Sequence, residues 1–406
     1  MKKPGADELV IIAPDRKKHH DEMFDLISKV FAHAGGYYPF LDYCLNGYID
    51  GSSYDWKNSR IGLVDGKIVT HYGVWDYRMR IGSAQTRVGG IGVVATDAEY
   101  RKMGLMARTI DATLEAMRRD GYDFSMLFGI GDFYHKFGYI RAWSHLAYIA
   151  DVNDLPQEPP AARLTKFTPK HREDLAELYN RENAGFTGSA VRPTYRVNRN
   201  PKKWQGYLWT GKGDRPTGYV IVAVNPDSIE CMEAVGDVEQ ILRSMAVLAR
   251  KSLRTTVRFA PGFPYQSELA KRLRRGNCRA EVRHHRCGGA MVRTVNLAQA
   301  LEKMARELSA RLGRSHLAKW RGELRIADGR EEANVKIAGG KATVVPPGAT
   351  RHEVRGGDEI AQLLIGTDEP AEVIEAAGTK LSGDAAELVA VLFPNQHPTL
   401  AVWDRY

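Results

Sequence analysis

The run from Ile91 to Met106, Ile-Gly-Val-Val-Ala-Thr-Asp-Ala-Glu-Tyr-Arg-Lys-Met-Gly-Leu-Met, constrains this chain more than any other stretch. A strand-like segment passes through a short polar turn straight into a helix. From Gly104 to Arg119, Met106, Ile110, Thr113 or Leu114, and Met117 share one side, while Arg108, Asp111, Glu115 and Arg118 sit elsewhere on the wheel. Gly121 is the stop signal. A helix start leaves backbone N–H groups without partners at the positive end of the dipole, which suits phosphate oxygens. Gly104 permits close approach, and Arg101 and Lys102 add charge. An ordinary strand–helix turn would read the same way; the strands that precede it are what favour anion binding.

Those strands are legible. Glu8–Ile12 reads as a strand, and His20–Ala32 as a helix with Met23, Phe24, Ile27, Val30 and Phe31 on one side. Ile61–Val64, Asp65-Gly66 and Lys67–Val69 form a hairpin, because Asp-Gly accepts the positive φ of a two-residue turn. A second turn at Gly82-Ser83-Ala84 leads into Thr86–Thr96, and Phe124–Phe128 is a further strand before a short helix near Phe133. Helix, antiparallel meander, then strand–helix–strand is an α/β (α+β) order.

With 406 residues the chain has room for two or three domains. The first is expected over 1–152, ending where Leu146–Ala150 gives way to the linker-like Pro156-Gln157-Glu158-Pro159-Pro160. The second, 161–290, carries a helix at Glu173–Asn180, a strand at Gly218–Val224 and a helix at Val238–Arg250, with no catalytic motif. The third, 291–406, opens with Asn296 as an N-cap and an apolar stripe of Leu297, Leu301, Met304, Leu308 and Leu312. A Gly339-Gly340 hairpin follows, and the chain closes on the apolar, aromatic Pro398–Tyr406. No run approaches the length that spans a bilayer, and Met1–Gly5 does not lead into a signal-peptide core, so a cytoplasmic chain without a membrane partner is expected.

Fifty-eight basic against 49 acidic residues leave a net charge of +9, which can attract anionic partners. The densest cluster, Lys271–Arg275 with Arg279, Arg283 and Arg286, reads better as a solvated helix face than as a nucleic-acid site, since no aromatic-rich strand or Cys/His module accompanies it. The four cysteines are scattered, and Cys278, His284, His285 and Cys287 fit no standard zinc spacing, so no metal is expected.

At Arg101-x-x-Gly104-x-Met106 the sequence resembles the GNAT acetyltransferase superfamily, whose phosphate signature is Arg/Gln-x-x-Gly-x-Gly/Ala; Met106 replaces the small residue, and Ala98 stands where proline is common. Phe133–Tyr139 is similar to the Tyr-x-x-Phe-Gly-Tyr signature of the enhanced-intracellular-survival family, as is the ending Leu392-Phe393-Pro394, Pro398 and Trp403–Tyr406. The resemblance covers essentially the whole chain. It implies tandem GNAT-type domains, the second without a cofactor site, followed by a sterol-carrier-protein-like domain.

The resemblance further implies acetyl-CoA as co-substrate. Val94, Ala95 and Thr96 would pair with the pantetheine arm, and Lys102, Met103, Gly104, Leu105, Met106 and Ala107, helped by Arg101, would cradle the pyrophosphate. Gly129 and Ile130 would lie near the thioester, Tyr134 would be the proton donor and the carboxylate of Tyr406 the acceptor. The activity implied is N-acetylation of a primary amine, on an aminoglycoside-like or other small molecule or a lysine side chain, by a homo-oligomer, by resemblance a hexamer. The rival reading is a carrier of an apolar ligand with a vestigial first domain.

Overall fold

The structure is a computed structural model and describes residues 9–193, 204–211, 213–285 and 289–405. The chain begins with β1 (Val10–Ile12), α1 (His20–Val30) and α2 (Tyr37–Tyr43), then builds the meander β2 (Arg60–Val64), β3 (Lys67–Ile81) and β4 (Ala84–Thr96). Asp65 at φ +50 and Gly66 at φ +80 make the first hairpin turn that the sequence predicts. Next come α3 (Leu105–Arg119), β5 (Phe124–Gly129) and the short β6 (Ile140–Arg141). The buried face of α3 is Leu105, Thr109, Ile110, Thr113, Leu114, Ala116 and Met117; of the apolar side expected, Met106 is only half-buried.

The chain then crosses to a second sheet through β7 (His145–Asp151), β8 (Thr165–Lys166), α4 (Arg172–Glu182), β9 (Trp204–Thr210), β10 (Pro216–Val224) and β11 (Ser228–Val235). This sheet is completed around α5 (Val238–Lys251), β12 (Thr256–Phe259), α6 (Glu268–Arg275) and β13 (Arg279–Arg283). The following strand, β14 (Gly289–Thr294), returns to the first sheet. A third unit contains α7 (Leu297–Gly313), β15 (Gly322–Ala327), β16 (Glu332–Ala338), β17 (Lys341–Val345) and β18 (His352–Arg355). It ends with α8 (Ile360–Ile365), α9 (Pro370–Ala377), β19 (Lys380–Ser382) and α10 (Ala385–Leu392).

The first sheet has the order β1-β2-β3-β4-β5-β14-β6 and the second β13-β7-β12-β11-β10-β9-β8. In both, four strands run antiparallel, the fourth pairs in parallel with the fifth across a helix, and two antiparallel strands finish the edge. The sixth strand of each sheet comes from the other's stretch of chain. The exchange crosses the expected boundaries at 152 and 290: His145–Asp151 pairs within the second sheet and Gly289–Thr294 within the first. The physical reason is that each fifth strand would otherwise expose an open edge, and the exchange closes both. Local composition carries no signal for which sheet a strand joins.

The third sheet, β17-β16-β15-β18-β19, is held against the first by α7. Leu297, Leu301, Met304, Leu308 and Leu312 share one core with Met79, Val88, Phe124 and Met126 of the first sheet and Leu324, Val335 and Val354 of the third. Asn296 stands at the N-cap but does not cap with its side chain. Its amide instead donates to the carbonyls of Arg118 and Tyr122, while the Glu331 carboxylate accepts the Leu297 N–H at 2.8 Å. The cap was exchanged for an anchor onto the first domain. Among the described residues no helix is long and apolar enough to cross a membrane.

Candidate active site

Strands β4 and β5 pair in parallel from Val88–Phe124 to Ile91–Leu127. Beyond that point β4 runs on to Thr96 and β5 to Gly129 outside the ladder. The separation begins at a bulge: His71 faces Ala95 and Gly73 faces Gly92, leaving Val93 and Val94 opposite Tyr72. Val93 takes φ +42, rare for a β-branched residue. His71 explains how this holds. Its ring is fully buried; Nδ1–H donates to the Val93 carbonyl at 2.8 Å and Nε2 accepts from the Tyr54 hydroxyl at 2.7 Å. Burial pushes the imidazole down to about 4, so it is neutral and its tautomer is fixed by the carbonyl it serves.

After Thr96 the chain makes one 3₁₀ turn, Ala98–Tyr100, opened by the Asp97 carboxylate accepting the Glu99 N–H at 3.0 Å. The Lys67 ammonium pairs with Asp97 at 2.8 Å and fixes the turn to β3. Arg101 reaches back to the Thr96 carbonyl at 3.3 Å. Two left-handed residues follow, Lys102 at φ +64 and Gly104 at φ +75, and α3 starts directly after Gly104. No side chain caps this helix, its first turn holds no acid, and Arg101, Lys102 and Gly104 are exposed. The first N–H groups of α3 thus keep their capacity for an anion, with cations beside them.

The third component follows β5. Tyr134 opens a short 3₁₀ helix, Tyr134–Phe137, and its ring lies so close to Gly129 that a Cβ there would fall 2.6 Å from it. Any side chain at Gly129 would push the phenol away. The ring is buried against Tyr139 and Phe133, and burial together with Tyr139 holds the phenol well above its ordinary pKa, so it stays protonated. Beneath it Tyr72, Tyr139 and Ser125 form a buried chain, with hydroxyl contacts of 3.1 and 2.6 Å.

Of the predicted residues, those within 94–107 and 129–134 lie in and just after two adjacent parallel strands, at their carboxyl ends. Val94 and Met106 pack against the apolar cluster that contains Tyr134. Ala95 faces the other side, against Tyr54, Trp75 and Val93, and Leu105 and Met103 pack with Leu9, Val64 and Val69. Ile130 is 67% exposed. Tyr406 lies outside the described residues; the neighbouring Arg405 sets its guanidinium carbon 4.7 Å from the centre of the Phe128 ring, next to Gly129. His71, which the sequence reading missed, carries a local cue only in hindsight: a histidine inside an apolar strand, Ile68–Val74.

The basic cluster of α6 is largely engaged: Lys271 pairs with Glu268, Arg272 with Glu239, and Arg274 donates to Tyr148 and to the Tyr265 carbonyl. Among the described residues no three His, Cys, Asp or Glu side chains converge as metal ligands; Cys287 lies outside them.

Residues 12–142 match the family model of the acetyltransferase (GNAT) domain. The first domain is a GNAT domain. No curated protein matches the chain. Solved structures match it nearly end to end. A GCN5-related N-acetyltransferase from Anabaena variabilis superposes with a TM-score of 0.75 at 16% identity, covering 97% of this chain and 99% of that one. One from Kribbella flavida gives 0.73 at 17%, covering 99% and 100%. Eis1 from Mycobacterium abscessus gives 0.69 at 14%, covering 98% and 100%. At these identities the fold is what is shared, and it extends past the GNAT domain to all three sheets.

Proposed function

We propose that this chain is an acetyl-CoA-dependent N-acetyltransferase that moves the acetyl group to a primary amine by direct attack in a ternary complex. The observation that carries the reading is the uncapped start of α3 beside separated strands, with a buried, protonated phenol at the same end of the sheet. The residues fit acetyl-CoA: Lys102–Ala107 and Arg101 would hold the pyrophosphate, Val94, Ala95 and Thr96 the pantetheine arm, and Gly129 and Ile130 would border the thioester. The co-substrate supplies the activated acetyl group.

The amine nitrogen bonds to the acetyl carbon, the C–S bond breaks, and the nitrogen loses a proton while the sulfur gains negative charge. Tyr134 donates a hydrogen bond to that developing charge. Full proton transfer is disfavoured, since a phenol near 10 already exceeds a thiol near 8.5 and burial widens the gap. The carboxylate of Tyr406 would hold the amine and accept its proton.

Four of the acids that could draw a polycation have partners within the chain. Glu22 accepts the Ile68 N–H, Asp25 pairs with Lys29 and Tyr37, Asp21 with His20, and Asp404 with Arg192. An acceptor bearing one amine on a less charged body therefore fits better than an aminoglycoside-like polycation. Thiol release from acetyl-CoA over a panel of amines tests the activity. Amine-dependent release is expected, and none with any amine, lysine peptides included, would contradict it.

A further inference from the structure

The final described residues run into the second domain rather than floating free. Thr399 N–H donates to the Thr187 carbonyl at 3.1 Å, and Ala401 and Trp403 are buried in the core that holds Tyr179 and Tyr219. Arg192 grips Asp404 with Nε and Nη2, both at 2.8 Å, and with its other edge grips Glu233 at 2.9 and 2.6 Å. Its guanidinium carbon lies over the Tyr179 ring, 3.4 Å from its centre, and the Tyr219 hydroxyl donates to Glu233 at 2.6 Å. Relative exposures are 5% for Arg192, 6% for Glu233 and 11% for Asp404.

The stretch that carries Arg192 is itself bonded to the first sheet. Gly188 N–H donates to the Arg80 carbonyl, Arg80 N–H to that of Ser189, and Val191 N–H to that of Arg78, at 2.8–2.9 Å. Resting on the acetyltransferase reading above, we propose that Arg192 is a positioning residue: it fixes the register of the final segment and so sets what that segment presents beside Phe128 and Gly129.

The physical case lies in the kind of anchor used. Ala401 and Trp403 alone would hold the segment by apolar contact, which is non-directional and tolerates sliding. A buried ion triad does not. A one-residue slip would withdraw Asp404 and leave the Nε edge of the buried Arg192 guanidinium without its acceptor, an unfavourable arrangement. Burying three charges adds little net stability over an apolar plug, so the gain is in defined geometry. The residue after Asp404 then lands with its guanidinium over Phe128.

The test compares wild type, Asp404→Asn and Arg192→Met as full 406-residue chains. Carboxypeptidase Y trimming reads the hold on the segment, and kcat and KM for acetyl-CoA are measured with 2-phenylethylamine, spermidine and kanamycin. Asp404→Asn keeps the shape of the side chain and remains informative if Arg192→Met does not fold. Trimming is expected to accelerate and kcat to fall about tenfold or more, with KM for acetyl-CoA within about twofold of wild type. Unaltered trimming in a folded variant overturns the hold. Faster trimming with unchanged kcat overturns the positioning role, as does a fall in kcat matched by weaker acetyl-CoA binding. A wild type that neither binds acetyl-CoA nor releases thiol removes the acetyltransferase reading, and with it the positioning role, while trimming still decides whether Arg192 holds the segment.

Discussion

The two seven-stranded sheets share strand order and direction, yet they differ where the fourth strand hands over to its helix. In the first, residues 97–104 intervene between β4 and α3, and the helix starts uncapped from Gly104. In the second, only Gly236 and Asp237 separate β11 from α5, and the Asp237 carboxylate accepts the Gln240 N–H at 2.8 Å. The second helix has its own anion. The fifth strands differ as well. Past β5 stands Tyr134 against Gly129, whereas past β12 a Cβ at Gly262 would meet the chain's own Ala401 at 3.2 Å. Even the bulges differ: where His71 secures the first, Ile221 occupies the matching register of the second. One topology thus ends in an uncapped helix start beside a buried phenol in one domain, and in a capped helix start closed off by the chain's own Ala401 in the other.

The comparison is broken most severely at Tyr134. Tyr134→Phe leaves the ring in place and is expected to lower kcat ~10²–10³-fold, on the order of 3–4 kcal/mol, with acetyl-CoA affinity unchanged in calorimetry. Equal kcat with chemistry rate-limiting would leave the phenol only a packing role.

His71 provides the next test. Its folded-state pKa of about 4 lies below the ordinary 6.5, so on acidification the unfolded chain takes up the proton first. The contribution is complete above pH 6.5 and is lost as pH falls toward 4, about 3 kcal/mol in all. In urea unfolding from pH 7 to 4, wild type should lose more stability than His71→Gln; parallel curves would mean that the buried imidazole does not titrate as described.

Smaller effects come from making one helix start imitate the other. Gly104→Asp adds the carboxylate that Asp237 gives α5, at a φ of +75 that aspartate tolerates better than most residues. Acetyl-CoA binding should weaken by roughly 2 kcal/mol while Tm changes little, and unchanged affinity would remove the N-terminus of α3 from the site. The reciprocal Asp237→Ala should cost about 1 kcal/mol in chemical denaturation through the lost cap and leave acetyl-CoA affinity as it was.

What the sequence disclosed was local. Asp65-Gly66 states its hairpin because the turn demands positive φ at those two positions, and the spacing of Ile110, Leu114 and Met117 states a helix whose start at Gly104 lies next to two cations. The exchange of β7 and β14 is invisible locally, since each strand reads the same on either sheet. The same limit hides the His71–Val93 contact and the Arg192–Glu233–Asp404 triad, whose members become neighbours only when three sheets meet. Asn296 shows how tertiary contact overrides a local rule: it sits at a helix start, yet its amide serves α3.

The most direct test of this account is calorimetric titration of the chain with acetyl-CoA and with CoA. The uncapped first helix and the self-capped second one predict saturable binding at one site per chain, weakened about thirtyfold by Gly104→Asp and indifferent to Asp237→Ala. Two sites per chain, or none, would contradict it.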